Sequence, residues 1–328
     1  MRIQNKLVAI KMEILWRLGW GEPVGVPAKL RQVWDPIDWP SERICSGALA
    51  RVERVVRGGR LVALKRVGAA VRLRVERDLA AVERWAAVGG LLSPGLGSAA
   101  TALAETVRRE LSMSHEHERA RLLGVALRAP VFSRELRVRC PAPVADLCDP
   151  FTYAYDWVEG TELHAAPPEG RQERAERLVV AFFALCHCHG IVHMDLSPRN
   201  VLVDREGWLW LIDVGASATL DPSARCLACE LHRGDNDPAA LARLLGCSDC
   251  GAAELIARAM RCFTHCEPLL PPTVLCSADS LLAGLRMGAA APLAPLLRGV
   301  VTLLGCLGAV GVERVDVAER LRALELKI

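Results

Sequence analysis

His189–Leu220, HGIVHMDLSPRNVLVDREGWLWLIDVGASATL, is the stretch from which the rest of this chain is read. It sets an Asp (Asp195), an Asn five residues later (Asn200) and a second Asp thirteen residues beyond that (Asp213). Between Asn200 and Asp213 come VLV, the turn DREG and then WLWLI, which predicts a short hairpin. The order suits metal-assisted phosphoryl transfer. One carboxylate stands near the attacking hydroxyl or water, while an Asn and another carboxylate hold Mg²⁺ against a triphosphate. Single H-x-D matches are common, so a buried hairpin with incidental Asp and Asn is the competing reading. Agreement in order along the whole stretch weighs against it.

Upstream, ALARVERVV alternates apolar and polar residues, RGG supplies a tight turn, and RLVALKRV alternates again, predicting a hairpin. Lys65 closes the apolar strand VALK, where its amine can reach phosphates if a carboxylate on a nearby helix orients it. Helices are predicted from about 72 to 88 and, after the break GGLLSPGLGS, from about 99 to 123. Glu76 and Glu83 lie on the first, Glu110 and Glu116 on the second, and the pattern alone does not choose among them. Before the Lys strand, Cys45–Val52 keeps Gly47 and then runs Ala48, Leu49, Ala50, Arg51, Val52. Small residues let backbone approach phosphate, although Ala restricts the positive φ that Gly supplies. VFSRELRVR and FTYAYDWV read as strands. The second ends at Tyr155–Gly160, where backbone groups around Asp156 and Val158 are placed to bond a nucleotide base. An ordinary exit from a strand would look much the same.

Composition narrows the class. The chain has 328 residues, 52% of them hydrophobic, enough for a bilobal protein with a core of Leu, Val and Ala. Net charge is +3 and the Arg residues interleave with Glu, so no nucleic-acid face is expected. The N-terminal MRIQNKLVAIKMEILWRLGW lacks the apolar segment of a signal peptide. It reads as a basic amphipathic helix, packed on the protein itself or touching a membrane surface. GVVTLLGCLGAVGV (299–312) is too short and too rich in Gly to span a bilayer, which predicts a buried helix. Thirteen cysteines without a secretory signal predict free thiols in a reducing, cytoplasmic compartment. Cys226-x-x-Cys229 and Cys247-x-x-Cys250, with seventeen residues intervening, match the spacing of a four-cysteine zinc site. Buried thiols are the favoured reading of both pairs.

Taken together, SGALARVERVVRGGRLVALKRV, ERDLAAVERW, ETVRRELSMSHEHERARLLGVALRAPVF and HMDLSPRNVLVDREGWLWLIDVGASATL resemble, in order, four segments of the UbiB (AarF) family of atypical kinases. The likeness covers roughly residues 40–246. It implies an alanine-rich loop over the phosphates at Ala48–Val52 and a Lys65–Glu116 ion pair. It also implies Asp195 as the catalytic-loop Asp, with Asn200 and Asp213 binding Mg²⁺. The family's N-terminal K-x-G-Q element is not found, its loop Ser and Gln are Ala48 and Arg51 here, and its D-x-G motif is Asp213-Val214-Gly215. Substrate preference and regulation are what these departures put in question.

The expected architecture is α+β and protein-kinase-like: an N-terminal extension (1–42), a small β-rich lobe with inserted helices (43–160) and a helical lobe (161–328). The expected function is ATP- and Mg²⁺-dependent phosphoryl transfer or ATP hydrolysis supporting ubiquinone biosynthesis. A lipid or small-molecule acceptor and peripheral membrane contact are expected with it. Only 22 residues separate Asp213 from Asp235, with no A-P-E segment to dock a peptide. Two rivals stand beside this reading. One is a small-molecule or lipopolysaccharide-sugar kinase of the same fold; the other is a nucleotide-binding pseudokinase scaffold, against which the intact Lys65, Asp195, Asn200 and Asp213 argue.

Overall fold

The structure, a computed structural model, describes residues 41–46, 50–92, 101, 104, 107, 108, 111–233, 238, 239, 250–271, 274 and 293–325. The expected N-terminal helix, Gly47, Ala48, Leu49 and Cys247 lie outside them. The chain divides into two compact units. One comprises residues 1–117 and 143–157, the other residues 118–142 and 158–328.

The first unit is built on an antiparallel sheet of order β1-β2-β3-β5: β1 Ser41–Ser46, β2 Ala50–Arg57, β3 Arg60–Val67 and β5 Thr152–Asp156. Gly58 and Gly59, at φ +57° and +79°, form the two-residue turn joining β2 to β3. Positive φ at both central positions matches the twist of the flanking strands, which is why Gly-Gly works there. Val52 and Tyr153 are the cross-strand partners of Lys65, so all three share one face. On the opposite face Val55, Val62, Leu64 and Ala154 form a core closed by Val144, Leu147 and Cys148. Glu53 on that face is 2% exposed and paired with Arg51 and, at 2.9 Å, with Arg66. Two guanidiniums are what make a buried carboxylate tolerable. Helix α1 (Ala69–Leu92) follows β3 and buries Val75 and Leu79, one turn apart.

Helix α2 (Met113–Ala126) carries the chain from the first unit into the second. The stretch expected to be the strand VFSRELRVR is instead a π-helix over Val131–Leu136, with only β4 (Val138–Arg139) extended. Phe132 and Leu136 are both buried. That four-residue spacing puts them on one helical side and outweighs a β-like composition. Arg137, left-handed at φ 51°, ends the turn.

In the second unit β4 pairs in parallel with β9 (Leu209–Leu211), which pairs with β8 (Val201–Val203) and that with β6 (Thr161–Glu162). A separate ribbon joins β7 (Ile191–His193) to β10 (Ser217–Thr219). Helix α3 (Arg171–His189) is buried almost continuously from Ala175 to His187 and is the centre of this unit. It stops at Gly190, whose left-handed backbone (φ 65°) turns its N–H to the Cys186 carbonyl. Around α3 lie α4 (Pro222–Arg233), α5 (Cys250–Thr264), α6 (Ala294–Ala309) and α7 (Ala318–Glu325). Helix α6 contains most of the apolar 299–312 stretch, with Val300, Leu303, Leu304 and Leu307 buried. Among the described residues no helix is long and apolar enough to cross a membrane.

Candidate active site

Lys65 ends the central part of β3, where strand alternation puts its amine on the face shared with Val52 and Tyr153. Its Nζ lies 2.9 Å from Oε2 and 3.0 Å from Oε1 of Glu116. Lys65 is 14% and Glu116 5% exposed in their side chains. Both charges are therefore largely withdrawn from water, and each requires the other. The competing carboxylates are elsewhere: Glu83 and, more loosely, Glu76 engage Arg108, and Glu110 lies outside the described residues.

The Asp195 segment is held at both ends by backbone. The Met194 N–H donates to the Ala216 carbonyl at 3.0 Å, and the Ile212 N–H donates to the Asn200 carbonyl at 2.9 Å. Within the loop, the Asn200 amide nitrogen donates to the Asp195 carbonyl at 2.9 Å and to the Asp195 carboxylate at 3.0 Å. An Asn that donates through its nitrogen keeps its side-chain oxygen as an acceptor. Together with carboxylate oxygens, that is the hard donor set Mg²⁺ takes, so these residues fit the ion.

Asp213 takes the left-handed region at φ 53°, ψ 55°, and the exposed residue leads into the short turn Val214–Ala216. An L-residue there stores of order 1–2 kcal/mol of backbone strain, with Asp and Asn the side chains that tolerate it best. Val201–Val203 and Leu209–Leu211 form the hairpin expected between Asn200 and Asp213. Its turn is fixed by Asp204, which accepts from the Glu206 and Trp208 N–H groups, both at 2.9 Å.

Two residues to which the sequence reading gave no role support this segment. His193 is buried, and its Nδ1 accepts from the Asp195 N–H at 3.3 Å. Burial pushes its imidazole below the ordinary range, against the opposing pull of the Asp195 and Asp213 carboxylates, so it stays neutral and an acceptor. The H-x-D spacing was the signal available for it. Arg177 on α3 is buried and donates to the carbonyls of Leu136 and Gly207, at 2.8 and 2.7 Å. It thereby ties the end of the π-helix to the hairpin turn. Nothing in a charged, helical stretch of sequence marks that role.

The remaining predicted positions divide as follows. Ala50 and Val52 are half-buried on β2. Asp156 pairs through its backbone with Val62 and through its carboxylate with Arg60, while Val158 is buried. No zinc site is supported. Among the described residues no group of three or more His, Cys, Asp or Glu is disposed to hold a metal, and Cys226 is exposed on α4. Burial pushes the thiols of Cys140, Cys186 and Cys306 up to about 12, which keeps them protonated and inert.

A strand-borne Lys paired to a helical Glu, and a loop Asp bonded to an Asn ahead of a β-hairpin and a second Asp, are features of the protein-kinase-like class. Residues 28–234 match the ABC1 atypical kinase-like domain, and the chain belongs to that family. In fold it is similar to a solved structure from Mycobacterium tuberculosis, the Rv3197–erythromycin complex. The TM-score is 0.66 at 19% identity, covering 98% of this chain and 86% of that one. Shorter similarities reach curated kinases. The chain is 62% identical over 37 residues to the serine/threonine-protein kinase PKH3 of Saccharomyces cerevisiae, covering 11% of this chain and 4% of that protein. It is 30% identical over 125 residues to CBL-interacting protein kinase 16 of Oryza sativa subsp. japonica, covering 35% of this chain and 23% of that protein. The chain thus spans less than a quarter of the length of either curated relative.

Proposed function

We propose that the protein is an ATP- and Mg²⁺-dependent atypical kinase or ATPase, with Lys65 and Glu116 serving phosphate and Asp195, Asn200 and Asp213 serving proton and metal. The observation that carries this reading is the largely buried Lys65–Glu116 pair, which bridges 51 residues of sequence. An ion pair placed away from water contributes little to stability relative to apolar residues of the same size, so its retention points to chemistry. Lys65 orients phosphate, and Glu116 holds the amine in place. Asp195 receives the proton of the attacking hydroxyl or water, and Asn200 and Asp213 hold the metal. Bound Mg²⁺ would neutralise phosphate charge as it develops.

The acceptor is read as a lipid or small molecule, or water. Helix α4 begins at Pro222, nine residues after Asp213, which leaves little chain on which a peptide could dock. A sugar or other small-molecule kinase is the second reading and shares this support. A role in ubiquinone or another isoprenoid quinone pathway, at a membrane surface, rests on the resemblance of the four sequence segments. A normal quinone profile in cells lacking the protein would remove it.

The test of the chemistry is ATP turnover and metal-dependent nucleotide binding in the wild type and in Asp213→Asn. Asn accepts the left-handed backbone, so this change removes charge with little added strain. Turnover in the wild type, lost together with the metal dependence in the variant, is expected. Equal inactivity of the two would mean a scaffold.

A further inference from the structure

The apolar stretch 299–312 holds one hydroxyl, that of Thr302 on helix α6. Three residues before it, Gly299 stands where α6 meets β7, so close that a Cβ there would lie 2.8 Å from Val192 Cγ1. Residues three apart share a side of a helix, so Gly299 and Thr302 face the same way. The close approach at Gly299 thus brings Thr302 to the chain leaving β7. There the Leu196 N–H donates to Thr302 Oγ1 at 3.4 Å, across 106 residues of sequence. The hydroxyl's own proton goes to the Gly299 carbonyl at 3.0 Å, which leaves its oxygen to accept.

Leu196 is buried, and among the described residues no backbone carbonyl takes its N–H. That N–H is one edge of the Asp195–Leu196 peptide. The other edge, the Asp195 carbonyl, accepts from the Ser197 N–H and from Asn200 Nδ2, both at 2.9 Å. A planar peptide held at both edges cannot rotate. Its own loop grips one edge and α6 grips the other. Without the α6 contact the plane would pivot about its carbonyl bonds and turn the Asp195 side chain with it.

We propose that Thr302 is a positioning residue for Asp195, its hydroxyl fixing the Asp195–Leu196 peptide through the Leu196 N–H. It acts through that peptide and not on the reacting atoms. The inference rests on the function proposed above, in which Asp195 receives a proton. A carboxylate turned away from the attacking hydroxyl or water lowers turnover while the groups that bind nucleotide stay in place.

The test compares three variants, each assayed well below its own melting temperature. Thr302→Val keeps the shape and removes the acceptor, and Thr302→Ser keeps the hydroxyl. Val300→Ala truncates a buried neighbour and so loosens the same helix. Thr302→Val is expected to lower kcat roughly tenfold, with KM for MgATP within about twofold. Thr302→Ser and Val300→Ala should both stay close to the wild-type kcat. Full activity in Thr302→Val, a serine variant as poor as valine, or an equal loss in Val300→Ala would each overturn the proposal. Thr302→Ala takes the place of Thr302→Val should valine prevent folding. A wild type unable to turn over ATP removes the function reading by itself, and the contact is then read from amide hydrogen exchange. Faster exchange at both Asp195 and Leu196 in Thr302→Val, but not in Val300→Ala, supports the positioning role; unchanged exchange at Asp195 refutes it.

Discussion

At Lys65 and Glu116, stability and chemistry can be separated. Replacing one partner breaks a largely buried ion pair, so Glu116→Gln should lower stability by about 2 kcal/mol, measured by urea unfolding. The paired change Lys65→Met/Glu116→Leu should recover most of that loss while leaving ATP turnover abolished. If the double variant is as unstable as the single one, the pair is a packing element first. His193 gives a pH signature. Its folded-state pKa lies below the unfolded value of 6.5, so the neutral form is the native one. The stability this contributes is complete above 6.5 and is lost as pH falls through the lower folded value. His189, also depressed by burial, has the same sign. Acidification below about 6.5 should therefore destabilise the wild type more than His193→Asn, in paired denaturation curves at pH 7.5 and 5.

Among the elements, the packing of α6 on α3 and β7 makes a sharp expectation. A Cβ at Gly299 would lie 2.8 Å from Phe182 Cε2 and 2.8 Å from Val192 Cγ1, both in the rigid centre of the second unit. Gly299→Ala should cost about 1–3 kcal/mol through overpacking, seen as a lower urea midpoint at unchanged slope. Alternation and the Gly-Gly turn made the β2–β3 hairpin legible in sequence, and β5 and the β8–β9 hairpin were legible for the same reason. The π-helix at Val131–Leu136 was not. Its apolar residues fit a strand as well as a helix, and only the burial of Phe132 and Leu136 on one side decides between them. Likewise four glutamates on two predicted helices looked alike by pattern. It was family resemblance that singled out Glu116, because what distinguishes it physically is tertiary: it is buried beside Lys65, whereas Glu76 remains exposed. Arg177 was hidden for a related reason, since its partners are backbone carbonyls that no sequence pattern displays.

For the molecule as a whole, the proposed nucleotide binding would be linked to folding by mass action. With MgATP at about a hundred times its dissociation constant, the native state should gain about 2.7 kcal/mol, a rise of several degrees in melting temperature. Chelation of the metal, or Asp213→Asn, should remove most of that rise in a thermal-shift measurement. A rise that survives both would mean that nucleotide is held without the metal groups.

The three-rung ribbon of β7 and β10 also limits how the gene can change length. Deleting one residue from β7 would swing His193 from the interior to the opposite side, and deleting one from β10 would do the same to Ser217, each pulling its strand out of step with its neighbour. The turn at Arg205–Glu206 is exposed and far from those rungs along the chain; there the ribbon's register is untouched, and the cost is confined to the turn's own contacts with Asp204 and Arg177. An extra residue between Arg205 and Glu206 should be absorbed with folding intact, whereas one inserted between Val192 and His193 should not. Insertions and deletions accepted by a functional selection would map that boundary directly.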